Sequence, residues 1–532
     1  MEAASGAGGL ALGALAAQAL DQQRLVSEGG RVVDQVVEPL VVTGGGAAEA
    51  LHDGLFLGDV EGEPAFLEIK HGGVTLGEWG LQGSLGHGPM VREDCEVSPA
   101  GVMQLDVNRF PRISCKTARS ARDLWDRVHW YGMTCSSGGN DAGTDRGTPE
   151  LPWGTKDAIP SLIGQAPDAK PWAEQWYGAH PLGDSPTPDG ATLSEHLAQQ
   201  PDQLGKAALM TFGRRLPFLM KILSAASPLS LQAHPTRQQA REGHARESLL
   251  GVPLGAPERS FKDDWPKPET IVALTSFEAL VGFRDPVRTA QLFEDLGVGD
   301  ALTSVIGPLR DRDGSPALQE VFLDVLSLDD RRHLVDEVLG AAVNHLDAPG
   351  ELGLFARTAV EIDEYFPSDP GILAALLLNR FSLEPGQALA LAPGVMHSYL
   401  RGCCIEVMAN SDNVLRGGLT AKHIDVDALL HVVSFAPTPA EVLLPSGSDG
   451  TYIYPTSFEE FELWLLQPTD GSPLQVPRSD SGRICLVASG SFELSGDGDP
   501  VVLKPGKAVF IGAGEAIVAR GEGQLFVAAT GV

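Results

Sequence analysis

The stretch Ser-Pro-Leu-Ser-Leu-Gln-Ala-His-Pro, residues 227–235, alternates apolar and polar side chains as a β-strand does. In a strand the apolar side chains share one face, and Ser230, Gln232 and His234 share the other. Buried polar groups cost free energy unless something binds them, and Gln232 and His234 are close enough to reach one metal ion. A hydrogen-bonded core pair is the commoner explanation of so short a pattern, so the stretch alone leaves both interpretations open.

Further along the chain, Glu269 and His397 are residue types that can bind the same metal ion. Glu269 begins the apolar stretch Glu-Thr-Ile-Val-Ala-Leu, and His397 follows a Pro-Gly turn in Leu-Ala-Pro-Gly-Val-Met-His. Two neutral imidazoles, one carboxylate and one amide oxygen form a mixed nitrogen and oxygen donor set that suits a zinc-like divalent ion. Such a set without cysteine leaves a coordination position for substrate or water, which is typical of catalytic zinc.

Three longer motifs resemble those of type I mannose-6-phosphate isomerases. They are Ser-Leu-Gln-Ala-His-Pro (230–235), Glu-Arg-Ser-Phe-Lys-Asp-Asp-Trp-Pro-Lys-Pro-Glu (258–269) and Ile-Glu-Val-Met-Ala-Asn-Ser-Asp-Asn-Val-Leu-Arg-Gly-Gly-Leu-Thr-Ala-Lys (405–422). The resemblance begins near Trp153 and runs to the C-terminus. It implies one zinc ion per chain, with the ligands Gln232, His234, Glu269 and His397.

The resemblance also implies the reaction, an enediol-type proton transfer that interconverts D-mannose 6-phosphate and D-fructose 6-phosphate and feeds GDP-mannose synthesis. This chemistry requires a base, charge stabilisation and a phosphate anchor. Glu406 is the expected base, Arg416 resembles the family's catalytic arginine, and Lys267 would assist ring opening or proton transfer. Ser230 and Lys422 are the expected contacts to substrate or phosphate. Without the resemblance, a surface Lys422 and an ion pair between Arg416 and Glu406 are the preferred interpretations.

Two positions depart from the family pattern. Many members have His before Lys-Pro-Glu, where this chain has Pro266, so any acid–base duty of that histidine is absent or moved. Many also have Thr-Pro-Lys where this chain has Ala421 between Thr and Lys, which loosens the backbone of that loop. Neither position is an expected metal ligand, so the family resemblance still holds.

The expected fold is mainly β with an α insertion: two cupin-type jelly-roll barrels, a helical domain and an N-terminal segment of unknown fold. Apolar residues recur at three- and four-residue intervals from Phe277 to about Asp347, which predicts helices, and residues 371–379 predict another helix. Residues 383–397 have the cupin order of strand, Pro-Gly turn, strand and second Pro-Gly turn. A second barrel follows Pro437 and has no histidine, so we expect it to bind no metal.

These patterns divide the chain into five expected parts. They are an N-terminal extension of unknown function (1–150), the first part of the catalytic barrel (151–275), the helical insertion (276–380), the remainder of the catalytic barrel (381–436) and the metal-free C-terminal barrel (437–532).

The N-terminal extension contains only weak patterns of secondary structure. Residues 32–42 and 64–76 are strand-like, residues 121–130 predict a short helix, and residues 135–148 have linker composition. The apolar run 8–20 lacks the basic residues of a signal peptide and is too short to span a bilayer, so we expect a small helix there. A metal site made from His87, Cys115, His129 and Cys135 is a minor alternative, because their spacing is irregular.

The net charge and the cysteine content limit the kinds of function that this protein can have. The net charge of −31 argues against a nucleic-acid partner, since phosphate backbones require a basic surface. Six cysteines without Cys-x-x-Cys spacing are typical of a reduced cytoplasmic protein. We expect a monomer with a sugar phosphate substrate and no membrane or nucleic-acid partner.

Two other functions stay open at this point. One is a non-catalytic bicupin that binds a sugar phosphate as a sensor, which would not need the extra carboxylates or Arg416. The other is a metal-dependent cupin oxygenase, which would be expected to use iron and more histidines.

Overall fold

The computed structural model describes residues 152–532 apart from 189, 313, 328–331 and 439–440, and four strands in the N-terminal part of the chain. The chain divides into two compact units, residues 1–117 and 118–532. In the first unit the strands Leu55–Gly58, Pro64–Lys70 and Gly73–Gly77 form an antiparallel sheet. The strand-like character predicted for residues 64–76 is therefore confirmed.

Several N-terminal predictions lie outside the described residues. These are the strand at residues 32–42, the helices at 8–20 and 121–130, the linker at 135–148, and the alternative metal site of His87, Cys115, His129 and Cys135.

A first large sheet carries the expected site residues. Its longest strand, His397–Ala409, pairs with four others, among them Phe218–Ala225 on one side and Glu269–Ala273 on the other. Alternation along this strand directs Cys403, Ile405 and Val407 into the core shared with the second sheet and turns Cys404, Glu406 and Met408 the opposite way. The strands of this sheet are Glu174–Tyr177, Phe218–Ala225, Gln232–Ala233, Glu269–Ala273, Phe277–Phe283, Leu378–Leu383, Ala388–Leu391, His397–Ala409 and Leu415–Arg416.

The strand predicted at residues 227–235 is shorter than expected, because only Gln232–Ala233 forms regular strand. Proline at positions 228 and 235 lacks the backbone N–H that a continuous ladder requires. The stretch is nevertheless held between its neighbours. Leu229 donates its N–H to Tyr399 O at 2.9 Å, and Leu231 donates to Gly418 O at 3.1 Å.

The prediction that the helical segment begins at Phe277 is wrong. Phe277–Phe283 is a strand that pairs with Leu378–Leu383 and with the long strand His397–Ala409. Its residues are all buried, and a short apolar run buried on both faces does not reveal its period in the sequence. The helix predicted at residues 371–379 ends at Leu376, because Leu378 and Asn379 already belong to the sheet.

Helices fill the chain between these two strands. Asp285 caps the first of them through Arg288 N, and Pro286 occupies its first turn. The apolar positions expected to face inward, such as Leu292, Phe322 and Val335, are fully buried in one core. These helices are Pro286–Asp295, Thr303–Asp311, Ser315–Leu326, His333–Ala342, Gly350–Asp363 and Gly371–Leu376.

The described part of the chain contains further helices. They are Ala158–Leu162, Leu193–Gln199, Lys206–Phe212, Arg237–Leu249 and Val426–Val432, with 3-10 turns at Pro201–Leu204 and Val343–His345. Within the described part of the chain, none of the helices combines the length and the apolar character needed to cross a membrane.

The C-terminal part forms a second sheet. It pairs the long strands Arg483–Ser495 and Val518–Ala529 along almost their whole length. The other members are Tyr131–Met133, Ser446–Ser448, Thr451–Tyr454, Glu462–Leu466, Leu474–Gln475, Val501–Leu503 and Ala508–Ile511.

The two large sheets share a continuous apolar core. Phe218 and Ile222 of the first sheet belong to the same buried cluster as Leu463 and Phe526 of the second. Tyr177 Oη also donates to Gly506 O at 2.8 Å across this contact. The face of the first sheet that does not meet the second sheet is therefore the one available for a site.

Candidate metal centre and proton-transfer site

Three buried side chains converge on the first sheet: His234, Glu269 and His397. One donor atom from each lies within 4.8 Å of the others. His234 Nε2 is 3.1 Å from Glu269 Oε1, and His397 Nε2 is 3.4 Å from Glu269 Oε2. Glu269 and His397 are the first residues of their strands, and His234 directly follows Gln232–Ala233. Because Glu269 pairs with Met408 and His397 pairs with Gln232, at opposite ends of His397–Ala409, the sheet curves over to bring the three side chains together.

Strand register adds Gln232 to this group. Gln232 pairs with His397 on one side and with Arg416 on the other. Directly paired residues in a sheet project from the same face, so Gln232 lies between His397 and Arg416 on the face of the site. The side chain is half-buried, as expected for a group at the opening of a site.

Hydrogen bonds set the tautomer of both imidazoles. His234 Nδ1 donates to Asn413 O at 2.7 Å, and His397 Nδ1 donates to Val395 O at 2.9 Å. With Nδ1 protonated, each Nε2 carries a lone pair directed toward the carboxylate of Glu269. His234 Nε2 is buried and makes no hydrogen bond. Two lone pairs facing one carboxylate in a buried space are the donor arrangement that a divalent cation satisfies.

Electrostatics keep His234 and Glu269 in their ligating forms. Burial, reinforced by the charge of Lys267, lowers the pKa of His234 to about 4. Burial disfavours the ionised form of Glu269, but Lys267 and His234 outweigh it and hold the pKa of Glu269 well below its ordinary value. At neutral pH His234 is therefore neutral and Glu269 is ionised.

A second buried carboxylate, Glu406, lies beside this cluster. The hydroxyl of Tyr399 is 3.0 Å from Glu269 Oε2 and 3.1 Å from Glu406 Oε1, so it bridges the two carboxylates. Lys221 Nζ is 3.1 Å from Glu406 Oε2 and 3.4 Å from Glu174 Oε1. Because the tyrosine has one hydroxyl proton, it can donate to one carboxylate at a time.

Burial and neighbouring charges shift the pKa values of Glu406, Tyr399 and Lys221. Burial raises the pKa of Glu406, Lys221 opposes that rise, and the nearby charge of Glu269 adds to it. Burial and both carboxylates raise the pKa of the Tyr399 hydroxyl well above its ordinary value. Burial disfavours the charged form of Lys221, but Glu174 and Glu406 outweigh it and raise its pKa. Lys221 is therefore a permanent cation, and Glu406 is a carboxylate whose proton affinity is enhanced.

Comparison with known proteins identifies the family. The family described as phosphomannose isomerase type I, catalytic domain, matches residues 147–286. The mannose-6-phosphate isomerase of Salmonella typhimurium is 38% identical over 387 residues, which cover 70% of this chain and 95% of the relative. The human mannose-6-phosphate isomerase is 32% identical over 380 residues, covering 67% and 87% of the two chains. The chain belongs to the type I phosphomannose isomerase family.

Solved structures of the phosphomannose isomerase family have the same fold. The crystal structure of the Salmonella typhimurium mannose 6-phosphate isomerase bound to substrate (f6p) and a zinc atom superimposes with a TM-score of 0.67 at 33% identity. The match covers 76% of this chain and 100% of that structure. The resemblance to the isomerase family stated from the motifs is thereby confirmed, as is a fold of two large sheets with helices.

The remaining predicted site residues differ in how directly they are connected to the cluster of His234, Glu269 and His397. Lys267 Nζ lies 3.2 Å from Glu269 Oε1, so it contacts a candidate metal ligand directly. Arg416 is half-buried and is paired with Gln232 by strand register. Ser230 is half-buried and stands two residues before Gln232. Lys422 is exposed on the loop that follows Arg416, where its N–H donates to Thr420 Oγ1 at 3.0 Å.

Sequence reasoning missed three residues of the site, Lys221, Tyr399 and Glu174. The sequence does contain a signal for Lys221, which is the one charged residue in the mostly apolar strand Phe218–Ala225, and a charge in such a strand requires a partner. Nothing local identifies that partner. Glu406 is found opposite Lys221 only once the two strands are placed in register.

Proposed function

We propose that this protein is a zinc-dependent mannose-6-phosphate isomerase that interconverts D-mannose 6-phosphate and D-fructose 6-phosphate. The observation that carries the proposal is the buried pair of neighbouring carboxylates. One, Glu269, converges with His234 and His397, and the other, Glu406, is linked to it through the Tyr399 hydroxyl. A member of an isomerase family with both a metal-type cluster and an adjacent buried base has the parts for proton transfer.

The metal proposal assigns one zinc ion to Gln232, His234, Glu269 and His397. Support comes from the lone pairs of both imidazoles, the ionised Glu269 and the register that brings Gln232 beside His397. When bound, zinc would supply positive charge for sugar oxygens that become negative during the reaction.

Proton transfer is assigned to Glu406. In its ionised form it accepts a proton from one of the two adjacent sugar carbons, C1 or C2, and returns it to the other. Lys221 and Tyr399 hold the carboxylate in place by contacts at 3.1 Å to its two oxygens. Burial raises its pKa, which strengthens it as a base relative to a solvated glutamate.

Charge stabilisation and substrate anchoring are assigned to the cations and hydroxyl around the cluster. Arg416, on the site face beside Gln232, stabilises the negative charge of the enediol-type intermediate. Lys267 assists ring opening or proton transfer from its position next to Glu269. Ser230 and the exposed Lys422 contact the substrate, with Lys422 binding the phosphate.

The domain organisation belongs to the same proposal. The first sheet forms a catalytic cupin barrel, which is interrupted by a helical insertion between its strands Phe277–Phe283 and Leu378–Leu383. The second sheet, whose strands other than Tyr131–Met133 lie within 437–532, forms a cupin barrel that binds no metal, which agrees with the lack of histidine in 437–532. Residues 1–150 are an N-terminal extension of unknown function, of which Tyr131–Met133 joins the second sheet.

The setting of the enzyme is also proposed. The described cysteines 403, 404 and 485 are free and buried, which supports a reduced cytoplasmic environment. We propose a monomer whose partner is a small sugar phosphate, with neither membrane nor nucleic acid involved. Light scattering of the purified protein checks the oligomeric state.

The decisive experiment is turnover of mannose 6-phosphate measured by coupled detection of fructose 6-phosphate. Activity should disappear on treatment with a chelator and return on addition of zinc, and the variant His397→Ala should remain inactive under both conditions. A folded, zinc-loaded protein without turnover would contradict the enzyme proposal and favour a sugar-phosphate sensor. Purified protein that contains iron in place of zinc and shows no isomerase turnover would favour an oxygenase-type cupin.

A further inference from the structure

Asn413 is fully buried, at 0% exposure, in the turn between the strands His397–Ala409 and Leu415–Arg416. It is not among the residues assigned to the metal or the substrate. Two separate parts of this residue, its side-chain amide and its backbone carbonyl, bind two different parts of the proposed site.

The amide of Asn413 binds the loop that leads into Lys267 and Glu269. Its Oδ1 accepts the backbone N–H of Lys262 at 2.7 Å and that of Asp263 at 3.2 Å. Its Nδ2 donates to the backbone carbonyls of Asp263 and Trp265, both at 2.9 Å, and to Asp263 Oδ1 at 3.1 Å. Both ends of the amide are thus occupied by one short loop.

The backbone carbonyl of Asn413 binds the other side of the site, because it accepts the Nδ1–H of His234 at 2.7 Å. That hydrogen bond fixes the tautomer and the ring orientation of His234. The chain then continues directly into Leu415–Arg416, which pairs with the strand that carries Gln232.

We infer that Asn413 is a positioning residue that holds the loop of Lys267 and Glu269 at a fixed place relative to His234. The inference rests on the proposed zinc site. Groups that hold metal ligands in position typically change metal affinity or activity about 10- to 100-fold when they are replaced. Asn413 is the one residue whose amide and carbonyl together bridge the loop of Glu269 and the ring of His234 among the described hydrogen bonds.

The variant Asn413→Asp tests this inference with little change in shape. A carboxylate can still accept the N–H groups of Lys262 and Asp263, but it cannot donate to the carbonyls of Asp263 and Trp265. It also places a negative charge against the half-buried carboxyl of Asp263. We therefore expect the loop to shift while the backbone carbonyl at position 413 is retained.

Asn379→Asp is the matched control. Asn379 Nδ2 also donates to backbone carbonyls, those of Val281, Gly282 and Thr438 at 3.3, 3.1 and 3.0 Å, but it has no bond to the loop 262–269 or to His234 among the described contacts. Both variants lose the same donor chemistry, so both should lower the midpoint of thermal unfolding of the zinc-free protein. Only the Asn413 variant should lose zinc affinity.

Zinc affinity is measured on the full chain, stripped of metal, by competition with a chromophoric chelator. We expect Asn413→Asp to bind zinc about 10- to 100-fold more weakly than the unchanged protein. We expect Asn379→Asp to bind it as the unchanged protein does. The zinc-induced rise in the unfolding midpoint should shrink in the first variant and persist in the second.

Three results would overturn the inference. The first is equal zinc affinity in Asn413→Asp and the unchanged protein, and the second is an equal loss in both variants, which would indicate general destabilisation. The third is an unchanged protein that binds zinc no better than His397→Ala, in which case the proposed metal site fails and the inference falls with it. The first two leave the metal site intact, so the two failures are distinguishable.

If Asn413→Asp does not fold, Ser411→Ala decides the question. Ser411 Oγ donates to Asp263 Oδ1 at 2.8 Å and accepts the N–H of Asn413 at 3.2 Å. Loss of this hydroxyl should therefore loosen the contact between Asn413 and the loop of Asp263 while the side-chain amide of Asn413 is kept. We expect a measurable but smaller loss of zinc affinity. Unchanged affinity in this variant would overturn the inference.

Discussion

Lys221 and Glu406 form a buried ion pair across two neighbouring strands, with Nζ 3.1 Å from Oε2 and both side chains less than a tenth exposed. The two residues are directly opposite in the register of Phe218–Ala225 and His397–Ala409. Glu406 also contacts Tyr399, which in turn contacts Glu269. Lys221 therefore balances the charge of the proposed base on one side, and Tyr399 connects that base to the candidate metal ligand Glu269 on the other.

Removal of the cation should destabilise the protein. Lys221→Met leaves Glu406 buried without its counter-ion, and such a loss typically costs about 3–5 kcal/mol. Urea denaturation at neutral pH measures this change, with Lys206→Met, at an exposed lysine, as the control. The double variant Lys221→Met with Glu406→Gln should recover part of the lost stability. A single variant as stable as the control would contradict the buried pair.

The pH profile of kcat/KM should report the raised pKa of Glu406. A base works in its ionised form, so activity rises with pH through the pKa of that group in the free enzyme. Because burial raises this pKa, the acidic limb should lie above 4.5, the ordinary value of a glutamate. Glu406→Gln should lower kcat by about 10²–10⁴-fold and leave no such limb in the residual activity. A limb that persists in this variant would assign it to another group.

The zinc-free protein should lose stability as the pH falls from 6.5 toward 4. Below 6.5 the unfolded chain protonates the imidazole of His234, whereas the folded chain, with a pKa of about 4, does not. The unfolded state then binds more protons, so the free energy of unfolding decreases with falling pH, by up to about 3 kcal/mol over this window.

Denaturation of metal-free protein at pH 7 and pH 5 measures this slope. His234→Gln, which cannot be protonated, should flatten it, whereas His423→Gln, at an exposed histidine, serves as the surface control. An equal slope in His234→Gln and the unchanged protein would show that the dependence arises elsewhere.

Lys422 should act on substrate binding and not on the chemical step. Lys422→Ala removes a charge from the proposed phosphate contact, so we expect KM for mannose 6-phosphate to rise about tenfold or more while kcat changes little. Steady-state kinetics measure the change, with Lys206→Ala as the control and Lys422→Arg as the variant that keeps the charge. A fall in kcat at unchanged KM would place Lys422 in the chemistry instead.

Local sequence patterns predicted the features that depend only on residue type and on spacing along the chain. The motifs around His234, Glu269 and His397 identified the family, and the structure brings these three side chains together. Local pattern failed at Phe277–Phe283, because a strand buried on both faces has no alternation to distinguish it from a helix. It also overestimated the strand at residues 227–235, where proline interrupts the ladder on both sides.

The residue types, their order and their spacing were enough to indicate the family, the reaction class and a cation site, because ligand chemistry is a property of the side chains themselves. The partners of those side chains were decided only in the folded chain. Lys221 meets Glu406, and Asn413 meets both His234 and the loop of Glu269, through strand register and loop contacts between segments far apart in sequence. Such pairings arise when separate apolar faces are buried together, and no local pattern encodes which polar groups that burial brings into contact.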